Sequence, residues 1–382
     1  MDSVSLLTGL LQHFSPTGAE SEAVNYLVGA MQLMGFQSYV DSMGNAVGKI
    51  GQGSREIVLL GHIDTVPGEI SVRQEDNILF GRGAVDAKGP LASFVAAASA
   101  CRKSSDWHIT VIGAVGEEGD SRGAKFLCQN YPAPEMVVIG EPSGWEAITL
   151  GYKGSLWVEL GFRQPASHTA SGQISACDCA VIFWNQLAKD LQLLNDGKNR
   201  AFDRFSPSIR SMKFNSNGFE DYASLKINIR LPQGTDFDAL QALFTACIET
   251  TQITPEISIL DYMPPYLAEK NTSLVRAFLS GIRKNGGTPG FKLKTGTADM
   301  NLVGPAWNCP AIAYGAGDSN LDHTANEHIE LPEYLLGIQV LKDSLERIQG
   351  IQDNNSNTKS DQQNMLANAK QLAKDKKPDT IW

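Results

Sequence analysis

The chain has 382 residues, 42% of them hydrophobic and 19% charged, which is ordinary for a globular protein and long enough for two domains with cores of their own. Its formal net charge of −10 argues against a nucleic acid or an anionic membrane surface as the main partner. No apolar run reaches the length of a membrane span, and MDSVSLLTGLLQHF at the start predicts an amphipathic helix rather than a signal peptide, so we expect a cytoplasmic protein.

The first 150 residues alternate between predicted strands and helices. The apolar runs EIVLL (56–60), ITVIGAV (109–115) and MVVIG (136–140) predict strands, and GPLASFVAAASACRK (89–103) predicts a helix. Nearly continuous apolar strands separated by helices are typical of a mostly parallel sheet with helices on both faces. The sequence therefore predicts the α/β fold class for this part.

The same pattern returns late in the chain. A helix is predicted near 271–285, a strand at AIAYGA (311–316) and a helix at PEYLLGIQVLKDSLERI (332–348). We therefore assign 1–151 and 265–348 to one domain.

The sequence between these two parts has a different hydrophobic pattern. SLWVELGF (155–162) and ASLKINIRLP (223–232) alternate apolar and polar residues, as half-exposed antiparallel strands do. Further elements are predicted at 175–190 and 236–250 (helices) and at EISILDY, 256–262 (a strand). We predict that 152–264 is a separate α+β domain inserted into the first one.

The chain ends in a polar segment, and its cysteines are scattered. Residues 349–382 have the composition of a flexible, solvated tail. The six cysteines include no C-x-x-C pair, which favours free thiols over disulfides or a thiolate metal site.

Acidic and imidazole side chains follow the predicted strands where each one ends. His62 and Asp64 follow the first strand, Glu117 and Glu118 the second, and Glu141 the third. Ligands of open α/β sheets bind at the carboxyl ends of the strands, so we expect these groups to lie close together.

Two further groups belong to the same edge of the sheet. Asp86 lies in the glycine-flanked loop GRGAVDAKGP just before a helix, and His323 follows the late strand AIAYGA. Each group alone is typical of a solvated loop, but crowded carboxylates repel one another unless a cation neutralises them. Two imidazoles with several carboxylates suit Zn²⁺, Co²⁺ or Mn²⁺. His62 would be a metal ligand and Asp64 would orient its ring.

The motifs GHIDTVPG, GRGAVDAKGPLA, GEEGDSRGAK, GEPSG and DHTANEH resemble, in order and spacing, those of the M20 family of zinc amidohydrolases. The resemblance covers about residues 1–348. It implies a catalytic domain with two divalent ions per subunit, Zn²⁺ first and Co²⁺ as the alternative. It also implies that the inserted domain is a lid that forms a homodimer interface.

The resemblance implies a role for each matched residue. One ion would be held by His62, Asp86 and Glu141, and the second by Asp86, Glu118 and His323, with Asp86 bridging the two. Glu117 would be the general base, and Asp64 would support His62.

Two residues of the inserted domain match family positions that bind substrate. His168 in ASHTASG resembles the lid histidine that reaches the active site of a neighbouring subunit, and a plain surface histidine is an equal alternative. Arg230 in INIRLP resembles the arginine that holds the substrate carboxylate, although arginines on alternating strands usually belong to a solvated face.

Two stretches, LKTGTADMN (293–301) and YGAGDSNLDHTANEHI (314–329), resemble one branch of the family. Its members release lysine, or in some relatives ornithine, from the C-terminal glutamate of an acidic amino-group carrier protein in the aminoadipate route to lysine. Gly296 and Thr297 would bind a substrate carboxylate and Asp299 or a neighbouring acid the ε-ammonium, with an ordinary glycine turn as the alternative.

An acidic carrier also implies a basic rim on the enzyme despite the negative net charge. The sequence does not place this rim. The candidates in the inserted domain are Lys153, Arg163, Arg210 and Lys213.

Two alternatives to this function stay open. One is a small-molecule deacylase for N-acetyl-lysine or N-acetyl-ornithine, which uses the same chemistry on a different acyl group. The other is a non-catalytic binding protein with the same fold, which the complete set of metal ligands and Glu117 disfavours.

Overall fold

A computed structural model describes residues 1–102 and 104–350, so the predicted tail lies outside the described residues from 351 onward. The α-helices are α1 (Ser3–Gln12), α2 (Ser21–Leu33), α3 (Lys88–Ala100), α4 (Arg122–Asn130), α5 (Ala176–Leu193), α6 (Phe237–Glu249), α7 (Ser273–Lys284), α8 (Met300–Trp307) and α9 (Leu331–Ile348). The strands are β1 (Gln37–Val40), β2 (Ala46–Gly51), β3 (Arg55–His62), β4 (Arg73–Glu75), β5 (Ile78–Phe80), β6 (Trp107–Ala114), β7 (Met136–Gly140), β8 (Ala147–Tyr152), β9 (Gly154–Pro165), β10 (Ser206–Ser216), β11 (Glu220–Leu231), β12 (Glu256–Met263), β13 (Tyr266–Leu267), β14 (Gly290–Lys294), β15 (Ala311–Ala313) and β16 (His328–Glu330).

The chain divides into two compact units. The first unit comprises Met1–Leu150, Ala268–Lys292 and the described residues from Ala298 onward. The second unit comprises Gly151–Leu267 and Leu293–Thr297. The segment Leu293–Thr297 thus belongs to the second unit, although the sequence analysis placed it with the first.

The sheet of the first unit is parallel at its centre. Its order runs β1-β2-β6-β3-β7-β15-β8, and β3 pairs in parallel with both β6 and β7. The outer pairs β1–β2 and β2–β6 are antiparallel. All residues of β6 and β7 are buried, which requires cover on both faces of the sheet. The predicted α/β fold class is confirmed.

A row of glycines lets helix α3 approach this sheet closely. Gly61 faces Gly113 on one side and Gly140 on the other in the strand register. A Cβ atom on Gly61 would lie 3.2 Å from Leu91 Cβ, and one on Gly140 would lie 2.9 Å from a ring carbon of Phe94. Both contacts belong to α3, so this helix sits on the row one residue before His62. The loop that precedes α3 is thereby held at the carboxyl end of the strands.

Local sequence explains where several helices begin. Asp2 accepts a hydrogen bond from the Ser5 N–H at 2.9 Å, and Ser175 forms a reciprocal capping box with Asp178 at the start of α5. Leu6, Leu7, Leu10 and Leu11 form the buried stripe of α1, as predicted for an amphipathic helix.

The second unit is an antiparallel sheet with two helices. Its order is β10-β11-β9-β12. Alternate residues of β9 and β11, such as Leu160 and Ile227, are fully buried and pack with residues of α5 and α6 such as Phe183 and Phe244. The other face of the sheet carries polar and charged side chains such as Glu159 and Lys226, together with the aromatic rings of Trp157 and Tyr222.

Two further expectations concern cysteines and membranes. All six cysteines are free, and Cys179 and Cys247 are buried. Among the described residues, no helix combines the length and the apolar character that a membrane span requires.

Candidate metal centre

The predicted ligands of the first unit converge at the carboxyl end of the parallel strands. His62 is the last residue of β3, Glu141 directly follows β7, and Glu117 and Glu118 follow β6 after a short turn. Asp86 approaches from the loop before α3. Residues from separate segments of the sequence therefore meet at one edge of one sheet.

Asp86 lies between the two histidines. Its Oδ1 is 3.0 Å from His62 Nε2, and its Oδ2 is 3.1 Å from His323 Nε2. The second oxygen partner of His323 is Glu118 Oε1 at 2.9 Å. One carboxylate thus faces both imidazoles, one oxygen to each.

Two groups of side chains have the spacing of a metal site. Asp86, Glu118 and His323 form one group whose ligand atoms lie within 4.8 Å of one another, and these are the predicted ligands of the second ion. The other group joins His62 with Glu117 and Glu118. Glu141 Oε1 lies 4.0 Å from His62 Nε2, and its predicted place beside His62 stays a prediction.

The ring orientation of His62 is fixed by a main-chain group. Its Nδ1 lies 2.9 Å from the carbonyl oxygen of Asp64, so Nδ1 carries the proton and donates, which leaves Nε2 to face Asp86. The Asp64 carboxylate is farther away, with Oδ1 at 3.6 Å. Asp64 therefore sets the tautomer through its backbone and not chiefly through its side chain.

The Asp64 side chain holds the segment that carries the two glutamates. Its Oδ1 accepts the N–H of Glu117 at 3.0 Å and its Oδ2 accepts the N–H of Glu118 at 3.1 Å. Thr17 Oγ1 donates to the same carboxylate at 2.7 Å. Burial opposes ionisation, but these contacts and His62 together lower the pKa of Asp64.

The pKa values of the two central acids, Glu117 and Asp86, are shifted in opposite directions. Burial raises the pKa of Glu117 well above its ordinary value, and the charges of Glu141, Asp299 and Glu118 add to the rise. Burial also works against ionised Asp86, but hydrogen bonds from His323 and His62 hold its pKa well below the usual range. The surroundings thus favour the ionised form of Asp86 and disfavour that of Glu117.

The residues fit a pair of divalent cations. Several carboxylates share a largely buried site with two imidazoles, and a cation would offset both their repulsion and their loss of solvent. Imidazole nitrogen and carboxylate oxygen are ligands that Zn²⁺, Co²⁺ and Mn²⁺ accept. The described residues near the site contribute no thiolate to either group.

The sequence analysis missed Glu327, which holds the Asp86 loop. The Glu327 side chain is buried, and its Oε1 accepts the N–H groups of Gly83, Val85 and Asp86 at 2.9–3.1 Å. Its Oε2 accepts from Arg82 Nη1 at 2.8 Å. Glu327 is the glutamate of the motif DHTANEH, which could have marked it as a candidate site residue. The sequence does not show which groups it would contact.

A small sheet explains why Glu327 reaches that loop. Strand β16 pairs antiparallel with β5, with His328 facing Phe80. The residues just before β16 therefore run beside the residues just after β5. His323 and Asp86 lie on these two segments, so the same pairing brings both ligands together.

Asp299 is a second buried acid near the centre. It exposes 2% of its surface, and among the described residues its Oδ1 has no hydrogen-bond partner. Burial raises the pKa of Asp299 to about 7. Such burial argues against the predicted contact of Asp299 with a substrate ammonium group.

The predicted substrate-binding residues lie in the second unit. Arg230 Nη1 is 3.5 Å from Thr297 Oγ1, so these two are neighbours, and Gly296 precedes Thr297 in an open turn. His168 is exposed in a turn where its Nδ1 accepts the N–H of Ala170 at 3.1 Å. Their roles stay predictions.

The family follows from comparison with known proteins. A model of Peptidase family M20/M25/M40 matches residues 58–347. The chain belongs to this family. It is therefore a hydrolase of amide bonds, from a family with metal-dependent members.

Curated relatives cover almost the whole chain. A "Putative [LysW]-lysine/[LysW]-ornithine hydrolase" of Thermococcus kodakarensis is 41% identical over 354 residues, which is 92% of this chain and 94% of the relative. A "[LysW]-lysine hydrolase" of Deinococcus radiodurans is 38% identical over 344 residues, 88% of this chain and 94% of the relative.

Solved structures share the fold of this M20 chain. The M20 family metallo-carboxypeptidase Sso-CP2 of Sulfolobus solfataricus has a TM-score of 0.74 at 18% identity, with 91% of this chain and 100% of that chain covered. A dinuclear metal binding peptidase of the M20 family from Bacillus subtilis has a TM-score of 0.68 at 13% identity, with coverages of 92% and 98%.

We expect Glu327→Ala to weaken the binding of divalent ions about 10- to 100-fold, because three N–H groups of the Asp86 loop lose their acceptor. Glu327→Gln keeps one acceptor oxygen and should fall between this variant and the wild type. Competition with a chelating dye measures the affinity, and Glu69→Ala, which removes an exposed carboxylate, is the matched control. An unchanged affinity in the folded Glu327→Ala protein would show that Glu327 does not position Asp86.

Proposed function

We propose that this chain cleaves the amide that joins lysine, or ornithine, to the C-terminal glutamate of an acidic amino-group carrier protein. The reaction would release the free amino acid in the aminoadipate route of lysine biosynthesis. The observation that carries the proposal is the similarity, at 38–41% identity and over most of both chains, to relatives named [LysW]-lysine or [LysW]-lysine/[LysW]-ornithine hydrolases. The cytoplasm stays the predicted location, and free cysteines suit a reducing compartment.

The metal centre is assigned to two divalent ions. In this proposal His62, Asp86 and Glu141 hold one ion, Asp86, Glu118 and His323 hold the other, and Zn²⁺ is preferred over Co²⁺. When bound, such ions polarise a scissile carbonyl and make water more acidic. The support is the position of Asp86 between the two imidazole nitrogens, at 3.0 and 3.1 Å.

Glu117 is assigned as the general base. It would accept the proton of the attacking water and deliver it to the departing amine of lysine. Burial raises the pKa of Glu117 above the ordinary range of a glutamate, which makes it a stronger proton acceptor and supports this role. Asp64 would keep Glu117 in place through the hydrogen bond to its backbone N–H.

The substrate carboxylate is assigned to the second unit. Arg230 would supply the charge, while Thr297 and the backbone of Gly296 would donate hydrogen bonds. The support is the proximity of Arg230 and Thr297 within that unit. His168 is assigned to the substrate as well, and its exposed turn suits a residue that acts on a partner subunit's site.

We also propose a homodimer formed through the second unit. Strand β12 lies at the edge of its sheet, and Ile257, Ile259 and Leu260 expose 45%, 49% and 44% of their surface. An exposed apolar edge strand is typical of a surface that pairs with another chain. Light scattering should give twice the 41.3 kDa chain mass, and a monomeric mass at micromolar concentration would contradict the proposal.

Assays of two substrates on one metal-analysed sample test the function. We expect release of free lysine from the lysine-charged carrier protein and much slower turnover of N-acetyl-lysine. Chelator treatment should abolish the release and added Zn²⁺ or Co²⁺ should restore it, with Mg²⁺ as the control ion. Turnover of N-acetyl-lysine without turnover of the charged carrier would instead favour the small-molecule deacylase.

We expect Glu117→Gln to lose hydrolysis by several orders of magnitude while it keeps its metal, since the amide cannot accept the proton from water. The measurement is kcat on the charged carrier together with the metal content of the same sample. Glu69→Gln, an exposed position of the same residue type, should remain fully active. Wild-type activity in the Glu117 variant would rule out its assignment as the base.

A further inference from the structure

A short segment near the start of the chain runs beside the turn that follows β3. We define the threonine segment as residues 15–18, which lie between α1 and α2. Pro16 forms a parallel bridge with Thr65. The Thr65 N–H donates to the carbonyl oxygen of Ser15 at 2.9 Å, and the Thr17 N–H donates to the carbonyl oxygen of Thr65 at 3.2 Å. The backbone of Thr17 is thus fixed beside that turn.

Further contacts hold the threonine segment at both of its ends. Ser15 Oγ donates to the carbonyl oxygen of Ile63 at 2.7 Å. At the other end, the N–H of Gly18 donates to Glu20 Oε1 at 2.9 Å, and the same oxygen accepts from Arg122 Nη2 at 2.5 Å. Arg122 is the first residue of α4, which begins shortly after the turn that follows β6. The segment is therefore connected both to the turn after β3 and to the start of α4.

Thr17 directs its hydroxyl inward, although the residue as a whole is exposed. Its Oγ1 donates to Asp64 Oδ2 at 2.7 Å, and Asp64 exposes none of its surface. An ionised carboxylate can only accept hydrogen bonds, and a hydroxyl that donates to one forms a short and strong contact. Packing in the core does not require a threonine at this exposed position, so the hydroxyl is the feature that calls for an explanation.

The same carboxylate binds the turn after β6, which carries two acids of the metal centre. Asp64 Oδ1 accepts the N–H of Glu117 at 3.0 Å, and Oδ2 accepts the N–H of Glu118 at 3.1 Å. Thr17 shares Oδ2 with Glu118, and it donates from outside this turn. Three donors around two oxygens restrict the rotation of the carboxylate plane. The hydroxyl thus helps to keep each oxygen opposite its own N–H group.

Thr17 also touches the end of the turn after β6. A Cβ atom on Gly119 would lie 2.8 Å from Thr17 Cγ2. Rotation of the Thr17 side chain would relieve this clash, but it would also move Oγ1 away from Asp64, because Cγ2 and Oγ1 are bonded to the same carbon. Gly119 therefore leaves room for the methyl group of a threonine whose hydroxyl is bound to Asp64.

We infer that Thr17 is a positioning residue, which acts through the Asp64 carboxylate on the two glutamates of the turn after β6. In the proposed function these are Glu117, the general base, and Glu118, a ligand of the second ion, so the inference rests on that proposal. Loss of a group that orients metal ligands typically weakens metal binding or activity by about 10- to 100-fold.

The test compares Thr17→Val with Thr17→Ser. Valine keeps the shape of threonine without the hydroxyl, whereas serine keeps the hydroxyl without the methyl group. We expect Thr17→Val to lower kcat on the charged carrier and the affinity for Zn²⁺ by about 10-fold or more each, with KM changed by less than about 2-fold. Thr17→Ser should stay within about 2-fold of the wild type in all three quantities. Competition with a chelating dye measures the affinity for Zn²⁺ without any substrate.

A second pair of variants tests the contact between Thr17 and Gly119. The backbone of Gly119 does not have the left-handed conformation that favours glycine, so an alanine there meets only the Thr17 methyl group at short distance. Gly119→Ala alone should therefore reproduce the losses of Thr17→Val. Combined with Thr17→Ser, which lacks Cγ2, the new methyl group has its next neighbours at 3.8 Å, and we expect kcat and affinity for Zn²⁺ to recover.

Thr272→Val is the matched control for a loss of stability. The Thr272 hydroxyl accepts the N–H of Val275 at 3.1 Å at the start of α7, a helix that supplies no residue to the centre. This variant should melt at a lower temperature than the wild type but keep its kcat and its affinity for Zn²⁺. A thermal melt of each Thr17 and Gly119 variant checks that the fold is kept.

The inference is overturned if Thr17→Val keeps both its kcat and its affinity for Zn²⁺, or if Thr17→Ser loses as much as Thr17→Val. A Gly119→Ala variant that Thr17→Ser does not improve would also contradict it. Failure of the wild type to cleave the charged carrier would instead reject the proposed function, and the affinities for Zn²⁺ would still decide the role of Thr17.

Discussion

The contact on which the centre depends is the Asp86 carboxylate between two imidazoles. Its two oxygens face His62 and His323 at 3.0 and 3.1 Å, and those histidines come from opposite ends of the first unit's sequence. Burial works against an ionised carboxyl at this position, and hydrogen bonds from the two rings outweigh it. The only carboxylate among the described residues that faces both imidazoles is thus kept ionised by those same imidazoles.

Backbone donors keep that arrangement rigid. Glu327 binds three N–H groups of the loop before Asp86, and Asp64 binds the N–H groups of Glu117 and Glu118. Each of these carboxylates takes several hydrogen bonds, which offsets the loss of solvent on burial. The centre thus contains two kinds of acid: those that would bind the metal ions, and those that hold the loops carrying them. The second kind determines the geometry of the first.

The sequence predicted the elements whose residues are buried on both faces and much of the site that follows them. MVVIG was placed correctly as β7, and the groups that follow β3, β6 and β7 meet because parallel strands end at one edge. Strand β10 was missed, because it is an exposed edge strand and the irregularity between Ile209 and Ser211 interrupts the apolar alternation of SPSIRSMKFNS. The late strand was predicted as 311–316 but ends at Ala313, just before Gly315, where a side chain would collide with Pro90 and the backbone of Glu141.

The distribution of charged side chains cannot be predicted from the net charge, because it depends on which of them are buried or paired in the fold. The net charge of −10 is a sum over the whole chain, and pairs such as Glu327 with Arg82 and Asp343 with Lys284 contribute nothing to it, so it does not show where the remaining charges lie. Lys153 and Arg163 looked like free cations in the sequence, but one is buried and the other is paired. Among the described residues, Arg210 and Lys226 lie instead beside the Trp157 ring, at 5.9 and 5.2 Å from its centre, and form no ion pair within 4 Å. Charges are screened beyond about 8 Å at physiological salt, so the charges near a contact matter more to a partner than the net charge of the whole chain.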